Sequence, residues 1–316
     1  MAVTLAQARL NVTDDIQAGI IDEFAKSSFI LNNIPFHDCV SPLGGGATLT
    51  YGYTRLITQP QAEFRSVNSE YSTHEVEKQR YVTELKVFGG AYEIDRLIAD
   101  MGGIADEVIL QSSQKVKAAS ALFSDTLING NSSTDANTFD GLDVAITGTD
   151  TEYIPDTAID LSTSDKVTEN AVEFVDALDE WLGFIDGVDA ILCNSLMAAK
   201  FRAVARRMGV YQVTMNDFGQ KVEHYGSIPF VDIGAKAGSN DPIIGIDEDG
   251  TTTIYAVHFG LDGFHAISMA GQPPVRTWLP DFSTSGAVKK GEVEMVAGCA
   301  LKSTKAAGAF RKIKVR

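Results

Sequence analysis

The chain has 316 residues, room for one large domain or two ordinary ones, and its 44% hydrophobic and 22% charged content is ordinary for a soluble globular protein. With 26 Lys+Arg against 42 Asp+Glu the formal net charge is -16, which argues against a nucleic-acid binder held by phosphate contacts, because the long-range field repels a polyanion. Cys39, Cys193 and Cys299 are widely spaced with no CxxC, against a disulfide framework or zinc site; no signal peptide and no apolar run of ~18 residues is present, so no membrane partner is expected.

Residues 1–46 read as an arm. Ile16, Ile20, Ile21 and Phe24 recur at helical spacing, and the apolar FILNNIPFHDCVSPLGGG that follows is broken by Pro35, Pro42 and Gly44 to Gly46, so no regular structure is expected there. An arm this apolar must lie against its own body or another copy.

From Ala47 to Phe88 the pattern is a long extended ribbon. Its first arm alternates, with Leu49, Tyr51, Tyr53, Arg55 and Ile57 on one side and mostly threonines on the other. Its second arm, YSTHEVEKQRYVTELKVF, is β-branched and aromatic with charge on both sides. A two-stranded ribbon is marginal in water unless something packs on it, so a neighbouring subunit is expected to bury this one.

After Gly89-Gly90 the pattern changes to helix. A short helix is expected over Asp95 to Met101, and the longest over Ile104 to Asn129, with a stripe through Val108, Ala119, Leu122/Phe123 and Leu127 and Gly130 as C′ residue. At 1.5 Å per residue it spans roughly 38 Å. A polar, loop-rich segment follows. Then come a helix over Thr168 to Ile185 with Val172, Val175, Leu178, Leu182 and Ile185 inward, a buried strand Ala190 to Cys193, and a helix capped by Asn194 or Ser195 through Arg207. Strands and turns fill the rest: IPFVDIG, PIIGI, TTIYAVHFG, FHAISM and the extended segment from Lys289 to Arg316. Long helix, ribbon and late strands make an α+β protein.

Catalytic groupings are missing from the pattern. Gly44-Gly45-Gly46 lacks a following GK[ST] or GxGxxG and reads as a hinge. Asp247-Glu248-Asp249-Gly250 lacks the glycine and glutamate that an EF-hand loop requires at its sixth and twelfth positions, and reads as a solvated turn. The five histidines form no HExxH, and His258 reads as a hydrogen-bonded structural residue. Asp176, Asp179 and Glu180 read as a solvated helix face. The sequence therefore predicts no enzyme, no cofactor and no metal site. Lys302 to Arg316 carries six basic residues and no acid; it reads either as an acceptor for an acidic surface or packaged nucleic acid, or as a strand with a wet basic edge.

The order of arm, ribbon, long helix, mixed domain and closing strands, with AEFRSVNSEY, KVFGGAYEIDR, FSDTLINGNS and FDGLD, resembles the major capsid proteins of tailed bacteriophages, the HK97-like fold. The resemblance covers nearly the whole chain. It implies an N-arm at 1–46, an E-loop at 47–90, a P domain at 91–145 with its spine helix at about 104–129, an A domain at 146–280, and P-domain return strands at 281–316. It further implies a shell of hexamers and pentamers around double-stranded DNA bound without sequence specificity. Portal and decoration proteins, and a separate scaffolding protein or none, are the implied partners; the virion, assembled in the host bacterial cytoplasm, is the implied location. Ile16, Ile20, Phe24, Tyr51, Tyr53, Phe64, Arg65, Tyr71 and Arg80 are the expected contacts between subunits. Because the chain starts almost directly with the arm, no maturation cleavage is expected. With no lysine from Gln59 to Tyr71, no covalent crosslink of the E-loop is expected either. An encapsulin-type compartment has the same fold, and a soluble enzyme or carbohydrate-binding module with a swapped hairpin is the remaining alternative.

Overall fold

The computed structural model describes residues 29–40, 49–58, 60–100, 107–209, 212–215 and 221–316. Ile16, Ile20, Phe24 and the triple glycine lie outside the described residues. The described part of the arm is regular, against expectation: helix α1 (Phe29–Asn33) is followed by strand β1 (Phe36–Val40). Pro35 falls between the two, where no ladder N–H is asked of it. Its carbonyl accepts from Ala266 N at 3.0 Å and opens a parallel pairing of β1 with Phe264–Met269.

The ribbon consists of β2 (Thr50–Leu56) and β3 (Lys78–Glu84), antiparallel from Thr50↔Glu84 to Leu56↔Lys78. It is shorter than the alternating pattern implies. After buried Leu85 the chain enters β4 (Lys86–Asp95), which joins the body. The expected switch to helix after Gly89-Gly90 does not occur, since β4 runs through both. A Cβ at Gly89 would stand 2.0 Å from the Val293 carbonyl oxygen on the neighbouring strand. Glycine here marks close approach of another backbone, which a one-dimensional pattern does not separate from a breaker.

Helix α2 (Arg96–Asp100) precedes α3 (Glu107–Asn129), which at 1.5 Å per residue is about 35 Å long over its described part. Its buried face is Ala119, Phe123, Ser124, Leu127 and Ile128, while Leu122 is 38% exposed. Phe123 stacks on Phe88 at 6.0 Å and on Phe36 at 6.0 Å, tying helix, β4 and β1 together. Gly130 does end the helix, but not through a left-handed φ: a Cβ there would stand 2.2 Å from the Phe139 carbonyl oxygen.

The polar segment after Gly130 holds α4 (Leu142–Ile146) and two short strands, β5 (Glu152–Tyr153) and β6 (Ile159–Asp160). Helix α5 (Ser164–Leu182) starts earlier than expected because Thr163 caps it, accepting from Lys166 N at 3.2 Å. Its inner face is also rotated from the expected one. Ala171, Phe174, Leu178 and Trp181 are buried and Val172 is 54% exposed, because Phe and Trp outweigh valine in what the core takes up. Strand β7 (Ala190–Cys193) and helix α6 (Ser195–Met208), capped by Asn194, follow the sequence reading closely. The remaining strands are β8 (Gln212–Met215), β9 (Lys221–Tyr225), β10 (Ile228–Asp232), β11 (Thr251–Val257), β12 (Phe264–Met269), β13 (Val275–Trp278), β14 (Val288–Leu301) and β15 (Ala307–Lys314). PIIGI makes only isolated bridges, Ala235↔Pro242 and Ile246↔Thr252.

Among the described residues these strands form two sheets besides the ribbon. In the five-stranded sheet, β14 is the trunk: β4 and β13 pair along it, and its end pairs with β12, which pairs with β1. The eight-stranded sheet has the order β5-β15-β11-β7-β10-β9-β8, with β6 also on β15. Its central strands are buried on both faces. Ala190, Leu192, Tyr255 and Val257 face a core shared with α3 and the first sheet; Ile191, Cys193, Ile254 and Phe310 face α5 and α6. Parity along a strand decides which core each residue enters. Sheet membership also cuts across the boundaries read from the sequence. β12 (Phe264–Met269) belongs to the first sheet, and β15 belongs to the second, so residues 281–316 do not return as one unit.

Candidate assembly interface

The ribbon stands on its own subunit along one side. Tyr51, Tyr53 and Arg55 share that side of β2 and are half-buried. The Tyr53 hydroxyl donates to the Leu301 carbonyl at 2.9 Å, and burial pushes its pKa up, keeping it a neutral donor. Arg55 donates to the carbonyls of Leu301 (2.7 Å) and Lys302 (3.0 Å), with its guanidinium 4.3 Å above the Tyr81 ring. Tyr53 and Tyr81 stack at 5.7 Å. Tyr51 and Tyr53 pack against a small cluster of Val40, Leu85, Ile267, Val296 and Ala300. Within the subunit, the side of the ribbon that carries Tyr51 and Tyr53 faces this chain's own β12 and β14. The carbonyls of Leu301 and Lys302 lie far away in sequence and give the ribbon polar anchors that alternation alone does not reveal.

What remains open is the opposite side and the long connection. Arg80, Val82 and Leu56 are exposed on the outer side, and a Cβ on Gly52 would lie 3.0 Å from the Arg80 guanidinium that covers it. The connection runs from Ile57 to Glu77. It is held at its base by Ile57 N to the Glu77 carbonyl (2.9 Å) and by Glu77 N to Thr58 Oγ1 (2.9 Å). Nearer the tip, Glu63 accepts from Ser72 N at 2.5 Å, Arg65 donates to the Ser69 carbonyl at 3.1 Å, and the Arg65 guanidinium stands 5.2 Å from the Tyr71 ring centre. Phe64 is 106% exposed, Val67 88% and Tyr71 59%. Among the described residues, Phe64 and Val67 are thus almost wholly open to solvent and Tyr71 is covered in part by Arg65. Phe64, Arg65, Tyr71 and Arg80 all lie on this open surface.

The other groups singled out in the sequence are occupied locally. His258 Nδ1 is 2.9 Å from Asp189 Oδ2, which also accepts from Phe259 N at 2.7 Å. Asp247 to Gly250 form a turn closed by Gly250 N to the Asp247 carbonyl at 2.9 Å. Asp176, Asp179 and Glu180 are exposed, and Asp179 accepts from the Tyr225 hydroxyl at 2.6 Å. Cys193 and Cys299 are buried thiols, with Cys299 pushed up to about 12 by burial and then by Asp140. Among the described residues no group of three His, Cys, Asp or Glu could hold a metal ion. No helix among them is long and apolar enough to cross a membrane.

The basic C-terminal run is partly spent inside the chain. Arg311 pairs with Asp143 at 2.8 Å and with Glu152, and Asp143 also accepts from the Tyr255 hydroxyl at 2.8 Å. Lys302 Nζ lies 5.8 Å from the Tyr51 ring centre. Strand β15 has β11 on one side and β5 and β6 on the other, so it is not the basic edge strand that the sequence allowed.

No protein-family model matches the chain, and no curated protein matches it. Solved structures do. The holo-SrpI encapsulin complex of Synechococcus elongatus superposes with a TM-score of 0.67 at 14% identity, covering 99% of this chain and 97% of that one. A structure from Microbacterium phage Oxtober96 matches at 0.61 with 13% identity over 100% of both chains. The capsid of the native GTA particle matches at 0.60 with 12% identity, over 99% and 100%. At such identities the likeness speaks for the fold alone. From the ribbon through the long α3 to the two sheets, this chain has the HK97-like fold found in phage-capsid and encapsulin shell proteins.

Proposed function

We propose that the chain is a structural, non-enzymatic subunit that self-assembles into the icosahedral head of a tailed bacteriophage, as hexamers and pentamers around double-stranded DNA. The observation that carries this reading is the Ile57–Glu77 connection. It presents Phe64, Val67 and Tyr71 to solvent on a ribbon that its own subunit holds on the other side only. Covering such side chains with a second copy removes apolar area from water at about 25 cal/mol per Å². The near-full-length likeness to shell proteins supports a second copy as the occupant.

In this reading the ribbon and its connection are the E-loop, α3 is the spine helix, and the eight-stranded sheet with α5 and α6 is the core of the A domain. No lysine occurs between Ile57 and Glu77, so the loop holds its neighbour by packing and hydrogen bonds without a covalent link. Portal and decoration proteins, with a separate scaffolding protein or none, are the partners in this reading of the virion, which assembles in the host cytoplasm. DNA is enclosed without base-specific contacts.

A second reading is an encapsulin-type compartment around a protein cargo, favoured by the TM-score of 0.67 to an encapsulin. Electron microscopy of the purified protein tests both: closed shells tens of nanometres across are expected, and a small discrete oligomer would sink the two together. Nuclease-protected DNA inside such shells distinguishes the phage head from a compartment carrying protein.

A further inference from the structure

We propose that the base of the ribbon is a pH-released latch, in which protonation of His265 beneath Tyr51 frees β2 and β3 from the five-stranded sheet. His265 lies on β12 with its side chain fully buried, and among the described residues neither ring nitrogen makes a well-formed hydrogen bond, the Gly263 backbone being the one polar group that acts on the ring from close by. The His37 ring on β1 is 5.8 Å away, and its Nδ1 is likewise buried without a partner. Tyr51 of β2 closes the group edge-on, 5.6 Å from His37 and 6.1 Å from His265. Buried polar nitrogens without partners are costly and uncommon, and here they gather where the ribbon meets the body.

The charges around this cluster favour release. Lys302, just past β14, stands over Tyr51 at 5.8 Å, and Arg55 of β2 is bound to the carbonyls of Leu301 and Lys302. Among the described residues the acid acting on His265 is Asp262, ahead of β12. Asp38, beside His37, already accepts from Gly271 N at 2.9 Å. A proton on His265 would thus face Lys302 and a second imidazole, opposed by the Gly263 backbone and one carboxylate.

Burial first, then Lys302, hold the His265 pKa at about 4 against an ordinary 6.5. The docked ribbon therefore keeps the ring neutral, whereas lifting Tyr51 lets water reach it and restores the ordinary value. Proton binding favours the lifted state as pH falls through 6.5 toward 4, by a factor of roughly 20 at pH 5 relative to neutral pH. These contacts lie within one chain, so the latch stands or falls independently of the shell reading.

Hydrogen–deuterium exchange on the whole chain, corrected for intrinsic rates, tests it. Protection of Thr50–Leu56 and Lys78–Glu84 is expected to fall at least tenfold between pH 7.5 and 5, while Ala190–Cys193 and Thr251–Val257 stay protected. His265→Phe removes the titrating ring and is expected to flatten that pH dependence. Lys302→Gln, which removes the cation beside the cluster and keeps a long polar side chain there, is expected to weaken it. Ribbon protection in the unmodified protein that is equal at both pH values overturns the latch, as does an unchanged loss in both variants.

Discussion

The Tyr53 hydroxyl and the Leu301 carbonyl meet at 2.9 Å across 248 residues of sequence. One end of this bond is on the ribbon and the other on the last residue of β14, the trunk of the five-stranded sheet. Arg55 donates to the same carbonyl at 2.7 Å. The ribbon is therefore half anchored: one side is held by its own subunit and the other is exposed.

That division makes two sets of substitutions behave differently. Tyr53→Phe combined with Arg55→Met removes the polar anchors without opening the body. The expected loss is about 1–2 kcal/mol of local stability. It should be read as faster exchange or proteolysis within residues 50–84, with the unfolding midpoint of the rest of the chain unchanged.

Phe64→Ser, Val67→Ser and Tyr71→Ser together alter side chains that touch little of their own chain. Folding stability should change by less than about 0.5 kcal/mol per site, while shell formation is lost. Sedimentation velocity beside thermal unfolding separates the two effects. Normal assembly by this triple variant would refute the placement of the loop tip between copies.

At Gly89 a methyl group has nowhere to go, because a Cβ would stand 2.0 Å from the Val293 carbonyl oxygen. Gly89→Ala should force β4 and β14 apart and cost about 2–3 kcal/mol. A urea titration measures it, with Gly148→Ala as a comparison: there no atom lies within 4 Å, and only the positive φ of 79° opposes the side chain.

Arg311 joins Asp143 and Glu152 next to the Tyr255 hydroxyl, whose pKa is pushed up by burial and then by Asp143. Arg311→Ala leaves two carboxylates facing one another in partial burial. Discounted for solvent, the expected cost is about 2 kcal/mol, seen as a lower denaturation midpoint. Arg311→Lys should recover only part of it, since an ammonium does not span both acids as the guanidinium does.

The cysteines give a chemical check on the two cores. Burial raises both Cys193 and Cys299, the latter to about 12. In native protein at pH 8 both thiols are therefore protonated and enclosed, and should resist iodoacetamide. In denaturant all three cysteines should react, as intact mass will show.

Some elements follow from local pattern alone. Ala190 to Cys193 is a short apolar run between turn signals, Asn194 is a side-chain cap, and the alternation of Tyr51, Tyr53 and Arg55 puts them on one side of a strand. Period and capping are properties of neighbouring residues, so they survive being read without a fold. Gly89, the phase of α5 and the sheet membership of β15 depend on residues far away in sequence: Val293, the core that takes Phe174 and Trp181, and the strands beside β15. The sequence by itself thus determined that this is an α+β chain with a ribbon it does not bury completely. Only the tertiary structure decided which side of that ribbon is spoken for, because the carbonyls that hold Tyr53 and Arg55 come from the opposite end of the chain.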